Sequence, residues 1–143
     1  MKVIVLDREG VEEIIAHFIA YGYTDFIVYT NVDKSYYELN GIDVIQIVGF
    51  GLESNGDKLT KIKGSLKERF FLVYSSEITD FVINEIEIYH KQKQGLTTIV
   101  EANKRLIGIL AEPEIFDYIE STYSFEREVL LRVGQDGELE IYK

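Results

Sequence analysis

Ser75, Ser76 and Glu77 stand in a row, with Asp80 three residues on, and are the residues best placed in this chain to do chemistry. Their two hydroxyls and two carboxylates can hydrogen-bond a small polar ligand. They directly follow Phe70-Phe-Leu-Val-Tyr74, the strongest strand pattern in the sequence. In an open α/β sheet, ligands bind beyond the carboxyl ends of the strands. A plainer role also fits, because Ser75, Ser76 and Thr79 can form a turn and cap the next helix. Other chemistry is thinner. His17 falls inside a helical pattern and His90 near the end of a later one, with no third partner at metal-ligand spacing, so both read as boundary histidines. Gly49-x-Gly51 and Gly56 follow a strand, but no helix pattern opens after them to supply phosphate-binding amides, so they read as a turn. Lys58, Lys61, Lys63, Lys67 and Arg69 cluster in sequence and read as the solvated face of a hairpin and loop.

Composition narrows the classes further. The 143 residues contain 15 Lys and Arg against 25 Asp and Glu, a net charge of -10. Such a surface repels phosphate backbones and anionic lipid, which argues against nucleic-acid or membrane partners. With no cysteine, thiol catalysis, disulfides and thiolate metal sites are excluded. The apolar run at Met1–Leu6 is cut short by Asp7, Arg8 and Glu9, too early for a signal peptide. No segment approaches the roughly 20 apolar residues of a membrane helix, so a cytoplasmic protein is expected. One proline and no polar tract predict a single domain over residues 1–143.

The elements that must position these residues alternate. Val3-Ile-Val-Leu6 is a continuous apolar run, as in a strand covered on both faces. Val11, Ile14, Ile15, Phe18 and Ile19 form one helical stripe ending near Gly22, and Phe26-Ile-Val-Tyr29 is a second buried strand. Together they predict a βαβ unit with parallel strands. Val44–Val48 is a strand, and Asn55-Gly56-Asp57 with Leu59 and Ile62 suggests a hairpin or irregular excursion. Ile83 to His90 marks a helix, Thr97–Val100 and Leu106–Leu110 two strands about a turn at Asn103-Lys104, Pro113 and Phe125 open two helices, and Leu139–Tyr142 is a short final strand. The expected class is α/β, a three-layer, Rossmann-like sandwich with a mostly parallel, mixed sheet.

The last third also carries a family resemblance. Glu112-Pro-Glu-Ile-Phe-Asp-Tyr-Ile-Glu120, Phe125-Glu-Arg-Glu-Val-Leu130 and Asp136-Gly-Glu-Leu-Glu-Ile-Tyr-Lys143 resemble E-P-E-V-F-D-Y-I, F-E-x-E-P-L and D-G-E-L-x-x-Y-K. Those motifs belong, in that order, to the glucose-1-phosphate cytidylyltransferase branch of the sugar-phosphate nucleotidyltransferases. Phe70–Tyr74 with Thr79-Asp80 and Tyr89-His90-Lys91 is similar to F-L-L-T-Y-G-D-G-V-S-D followed by F-H-K. Tyr21–Ile27 is similar to H-G-x-x-D-F-V, and Gly51–Leu59 to G-L-x-T-x-T-G-G-R-L. The resemblance implies a reduced nucleotide-diphospho-sugar transferase-like fold.

It equally implies a loss of catalysis. Family members join a nucleoside triphosphate to a sugar 1-phosphate, using a glycine-rich loop, G-G-x-G-T-R-L, and aspartates that hold Mg²⁺. Here only Asp7-Arg-Glu-Gly10 separates the first strand from the first helix. The metal aspartate of G-D-G falls on Ser76, with Ser75 and Glu77 in place of the glycines, and Glu77 is expected to point elsewhere. The sugar-contacting stretch is shortened to Glu101-Ala-Asn-Lys104, and N-G-G aligns with Arg105-Leu-Ile107. The sequence ends at Lys143, ahead of the segment that carries the family's second metal aspartate. A pseudoenzyme is therefore expected, with no catalytic residues and no cofactor, serving as a binding, scaffolding or regulatory module in surface-polysaccharide or nucleotide-sugar metabolism. Its expected partner is a second copy of itself or an active nucleotidyltransferase. A minimal enzyme or a sugar-phosphate sensor is the alternative, using Ser75, Ser76, Glu77 and Asp80 with charge from Arg8 or Lys58, and Mg²⁺ only if it is an enzyme.

Overall fold

Val3, Ile4 and Val5 are all fully buried, which a strand achieves only when both its faces are covered. A computed structural model describes residues 1–6, 10–30, 42–48, 55–119 and 125–143, and in it these three residues lie on the inner strand β1 (Lys2–Val5). The helix α1 (Val11–Ala20) follows, burying Val11, Ile14, Ile15 and Phe18 along one stripe. Glu12 and Glu13 complement the dipole at its first turn, and Gly22, at φ 91°, supplies the left-handed residue just past its end. The chain returns in β2 (Asp25–Thr30), parallel to β1, and β3 (Asp43–Val48) adds parallel to β2.

The excursion at residues 55–62 is not a hairpin. Asn55–Lys61 is a helix, α2, despite its Asn-Gly-Asp start. Leu59 and Ile62, three apart, bury 99% and 92% of their surface in the core that also holds Ile27 and Tyr29. That burial, worth about 1.5–3 kcal/mol per large apolar side chain, outweighs a local turn preference.

Beyond a short 3₁₀ turn, β4 (Phe70–Val73) returns to the sheet centre, parallel to β1 and buried at every residue. A second 3₁₀ turn (Ser76–Asp80) leads to α3 (Ile83–Lys93). The strands β5 (Thr97–Ala102) and β6 (Arg105–Ala111) form a hairpin, with β6 inserted antiparallel between β4 and β5. The two helices expected after Pro113 and at Phe125 are tighter and looser than an α-helix respectively. Pro113–Tyr118 is 3₁₀, and Phe125–Val129 is a π turn that runs into α4 (Leu130–Gln135). Finally β7 (Leu139–Tyr142) pairs parallel with β5.

The result is one seven-stranded mixed sheet of order β3-β2-β1-β4-β6-β5-β7. Val3, Val5, Phe71 and Val73 face a core shared with α1 and α3, while Ile4, Phe70 and Leu72 face another containing Leu59, Phe116, Phe125 and Val133. This is the three-layer α/β sandwich with a mostly parallel sheet that the sequence predicts.

The β5–β6 turn is as short as a hairpin allows. Ala102 pairs with Arg105, leaving only Asn103 and Lys104, at φ 53° and 63°. Two positive φ values are the signature of a type I′ turn, which favours Asn-Gly. Lys104→Gly is therefore expected to stabilise the protein by about 0.5 kcal/mol, because relief of a left-handed residue exceeds the entropy that glycine adds to the unfolded chain. A urea midpoint that falls instead would contradict the turn geometry.

Candidate functional site at the carboxyl edge of the sheet

The chain leaves β1 toward β2 and β3 on one side, while β4 lies on the other. Strand order reverses between β1 and β4, and crevices at such points are where doubly wound sheets hold ligands. Backbone bonds from Leu6 N to Val73 O (2.9 Å) and from Tyr74 N to Ile107 O (2.9 Å) extend the sheet to this edge. Ser75, Ser76 and Glu77 stand here, as the sequence predicts. The segments following β1, β2 and β3 (residues 7–9, 31–41 and 49–54) lie outside the described residues, and with them Arg8, Gly49 and Gly51.

Ser75 is extended (φ -146°, ψ 143°), and its hydroxyl accepts from the Glu77 amide at 3.2 Å. Thr79 donates its hydroxyl to the Ser76 carbonyl at 2.8 Å. Both hydroxyls thus do the turn-making work that competes with ligand binding. Fully buried Ile78 pins the turn beneath β6, where Gly108 leaves space: a Cβ there would lie 3.4 Å from Ile78 Cδ1 and 3.3 Å from the Leu72 carbonyl. Asp80 ends the turn, exposed. Glu77 turns toward the β5–β6 hairpin, where its Oε1 accepts from the Arg105 guanidinium, while its Oε2 is buried with no hydrogen-bond partner.

These donors do not suit Mg²⁺. A hard cation of that size is held through carboxylates in near-ideal octahedral geometry. At the end of β4, Ser76 offers a hydroxyl and not a carboxylate, and the neighbouring Glu77 carboxylate is already charge-paired with Arg105.

Sequence reading missed two members of this edge. Arg105 is 28 residues from Glu77, and only the antiparallel insertion of β6 brings them together. Glu126, on the π turn, accepts at one oxygen from Tyr74 Oη (2.8 Å) and Asn55 Nδ2 (2.6 Å). Burial, reinforced by Glu126, pushes the Tyr74 phenol well above its ordinary range, so it stays a neutral donor. The one available signal was a helix amide and a half-buried tyrosine, each needing a polar partner.

The basic cluster does not converge. Lys58 lies over the Tyr29 ring (5.5 Å) and Lys63 over the Phe116 ring (5.7 Å), while Arg69 pairs with Glu112 at the opposite edge of the sheet. Lys58 also contributes its carbonyl, which accepts from Tyr29 Oη at 2.6 Å. The histidines differ from each other as well. His17 Nε2 bonds the Phe81 carbonyl at 2.8 Å, consistent with a boundary role. His90 corrects the sequence reading: it is 1% exposed and bonded through both ring nitrogens, to Thr98 and Glu112. A charge partner 22 residues downstream makes that burial tolerable.

No protein-family model matches the sequence, and no curated protein matches it either. Among solved structures, the chain is similar to a protein of Desulfovibrio desulfuricans G20, provisionally named a nucleotide-diphospho-sugar transferase. The two superpose with a TM-score of 0.56 at 12% identity, over 99% of this chain and 78% of that one. The fold is thus of the nucleotide-diphospho-sugar transferase type. Among the described residues, no helix is long and apolar enough to cross a membrane.

Proposed function

We propose that this chain is a catalytically silent protein of nucleotidyltransferase-like architecture, acting as a binding, scaffolding or regulatory module in nucleotide-sugar or surface-polysaccharide metabolism. The observation that carries the reading is the state of the β4 edge. Where the family resemblance places a metal aspartate there is Ser76, flanked by a Ser75 hydroxyl bonded within its own turn and a Glu77 carboxylate neutralised by Arg105. The two-residue β5–β6 turn adds support, because it has no length for a sugar-contacting excursion. Of the two carboxylates in this turn, Glu77 is paired with Arg105 and Asp80 is exposed at the far end, so neither is held beside Ser76 to stabilise charge on a transferring nucleotidyl group.

Pyrophosphate release, measured with each nucleoside triphosphate, glucose 1-phosphate and Mg²⁺, is expected to stay at the buffer rate. Turnover that disappears in both Ser76→Ala and Glu77→Ala would establish the minimal-enzyme alternative instead. A sensor is the second reading, and Glu77 Oε2 favours it: a buried carboxylate oxygen without a donor would gain one from a ligand hydroxyl once the side chain turns outward. That reading predicts a thermal shift with sugar phosphates, lost in Glu77→Ala. The proposed partner is a second copy or an active nucleotidyltransferase. Light scattering showing a strict monomer, indifferent to such an enzyme from the same cell, would remove it.

A further inference from the structure

At the amino edge, opposite the candidate site, four side chains from different parts of the chain form one hydrogen-bonded line. Arg69, just before β4, grips Glu112 with Nε on Oε2 (2.6 Å) and Nη2 on Oε1 (3.0 Å). Glu112, just after β6, shares Oε2 with His90 Nε2 on α3 (3.2 Å), and His90 Nδ1 meets Thr98 Oγ1 on β5 at 2.7 Å. Thr98 is fully buried and His90 is 1% exposed, so the hydroxyl is inaccessible as a nucleophile and the line is no catalytic triad. We propose that the line is a proton-operated latch, which holds the last turn of α3 to β5 and β6 while His90 is neutral and releases it when His90 takes a proton.

The bonding fixes the neutral state. A carboxylate can only accept, so His90 carries its hydrogen on Nε2, and its bare Nδ1 accepts from the Thr98 hydroxyl. A second proton must go on Nδ1, directly against that hydroxyl. Thr98 then has to turn its hydrogen into a fully buried environment, losing its acceptor. Charge compensates only in part, because the Glu112 carboxylate is shared with two Arg69 bonds. The groups facing His90 divide. Glu112 and Glu87 favour the proton, as does the carboxyl end of α3, while burial and Arg69 oppose it. Glu87 is itself drawn to Lys91 at 3.6 Å, Lys93 shares that last turn, and from β5 the uncharged Thr98 meets the ring. Burial is the largest of these influences and sets the net direction, below the ordinary imidazole range. Solvent reaches the line through a depression of about 440 Å³, whose walls include Arg69, Glu112, Lys67 and Glu114.

With only two histidines in the chain, imidazole ¹⁵N spectra test this directly, the His17→Gln variant assigning the signals. His90 is expected in the Nε2–H tautomer, titrating below about pH 6.5. Hydrogen-exchange protection at Tyr89–Gln94, corrected for the intrinsic pH dependence of amide exchange, is expected to fall about tenfold as pH drops through that titration, while β1 and β2 stay protected. Arg69→Gln frees Glu112 for His90 and is expected to raise the midpoint by about one pH unit. Arg69→Lys keeps the charge and leaves it near the parent value. An Nδ1–H tautomer, a midpoint at or above 6.5, or α3 protection that is unchanged across the titration after that correction would overturn the proposal. So would equal midpoints in the Gln and Lys variants.

Discussion

Phe71→Ala is expected to cost about 4 kcal/mol of folding stability, the largest effect of any single truncation proposed for this protein. Phe71 sits on β4, fully buried, and its ring packs edge-on against Phe18 of α1 (5.2 Å) and Tyr23 (5.8 Å). Phe18 and Tyr23 also meet each other at 5.3 Å, so three rings close a triangle between the sheet and α1. Alanine removes one corner, and neither neighbour can fill the space without leaving its own contacts. The loss is therefore transfer free energy plus a cavity, against a total stability of roughly 5–15 kcal/mol. Urea unfolding followed by circular dichroism measures it, with exposed Ile88→Ala as a control expected within about 0.5 kcal/mol of the parent. A loss for Phe71→Ala below about 1.5 kcal/mol would mean that this face of β4 is not close-packed.

Glu112→Ala is expected to cost about 2–3 kcal/mol near pH 7.5, through charge and hydrogen bonding rather than volume. It strips the acceptor from the Arg69 guanidinium and from the buried His90 Nε2–H together. Breaking a fully buried pair costs about 3–5 kcal/mol, and the lower figure reflects that Arg69 and Glu112 are each about a quarter exposed. Acid titration separates the two groups. Burial raises the Glu112 carboxyl, but the Arg69 and His90 bonds outweigh it and hold it below the usual carboxylate range. Its contribution is thus present above about pH 4.5 and is lost as pH falls through the lower folded value. His90 is also depressed, by burial first, so its contribution is complete above about pH 6.5 and declines below it. Parent stability should fall in two windows on acidification. Glu112→Ala should flatten the lower one and keep the upper one, and parallel curves for the two proteins would refute this assignment.

The elements legible in the sequence are those whose pattern and burial agree locally. Val3–Leu6, the α1 stripe, Phe26–Tyr29 and Phe70–Tyr74 each announce their class through unbroken or helically spaced apolar residues, and the structure buries those residues accordingly. Residues 55–62 were illegible for the opposite reason: Asn-Gly-Asp prefers a turn, while Leu59 and Ile62 find a core only once β2 is in place. The site was half legible. Ser75, Ser76 and Glu77 could be placed at a strand end, and Ser75 as a cap, from local chemistry alone. Arg105 and Glu126 could not, since long polar side chains carry no sign of which distant strand or turn they will reach. His90 and Glu112 both lie in stretches that carry the family resemblance, yet what joins them is an internal bond remote from the carboxyl edge.

Sequence by itself determined the α/β class, the βαβ start and the position of the Ser75–Glu77 turn, because periodicity, capping and strand-end chemistry act over a few residues. Only tertiary structure decided which charges are spent. Inserting β6 antiparallel beside β4 brings Arg105 onto Glu77, and docking α3 on β5 seals His90 against Thr98 and Glu112. Pairing energies depend on separation and burial, and neither exists until strands distant in sequence are adjacent in the sheet.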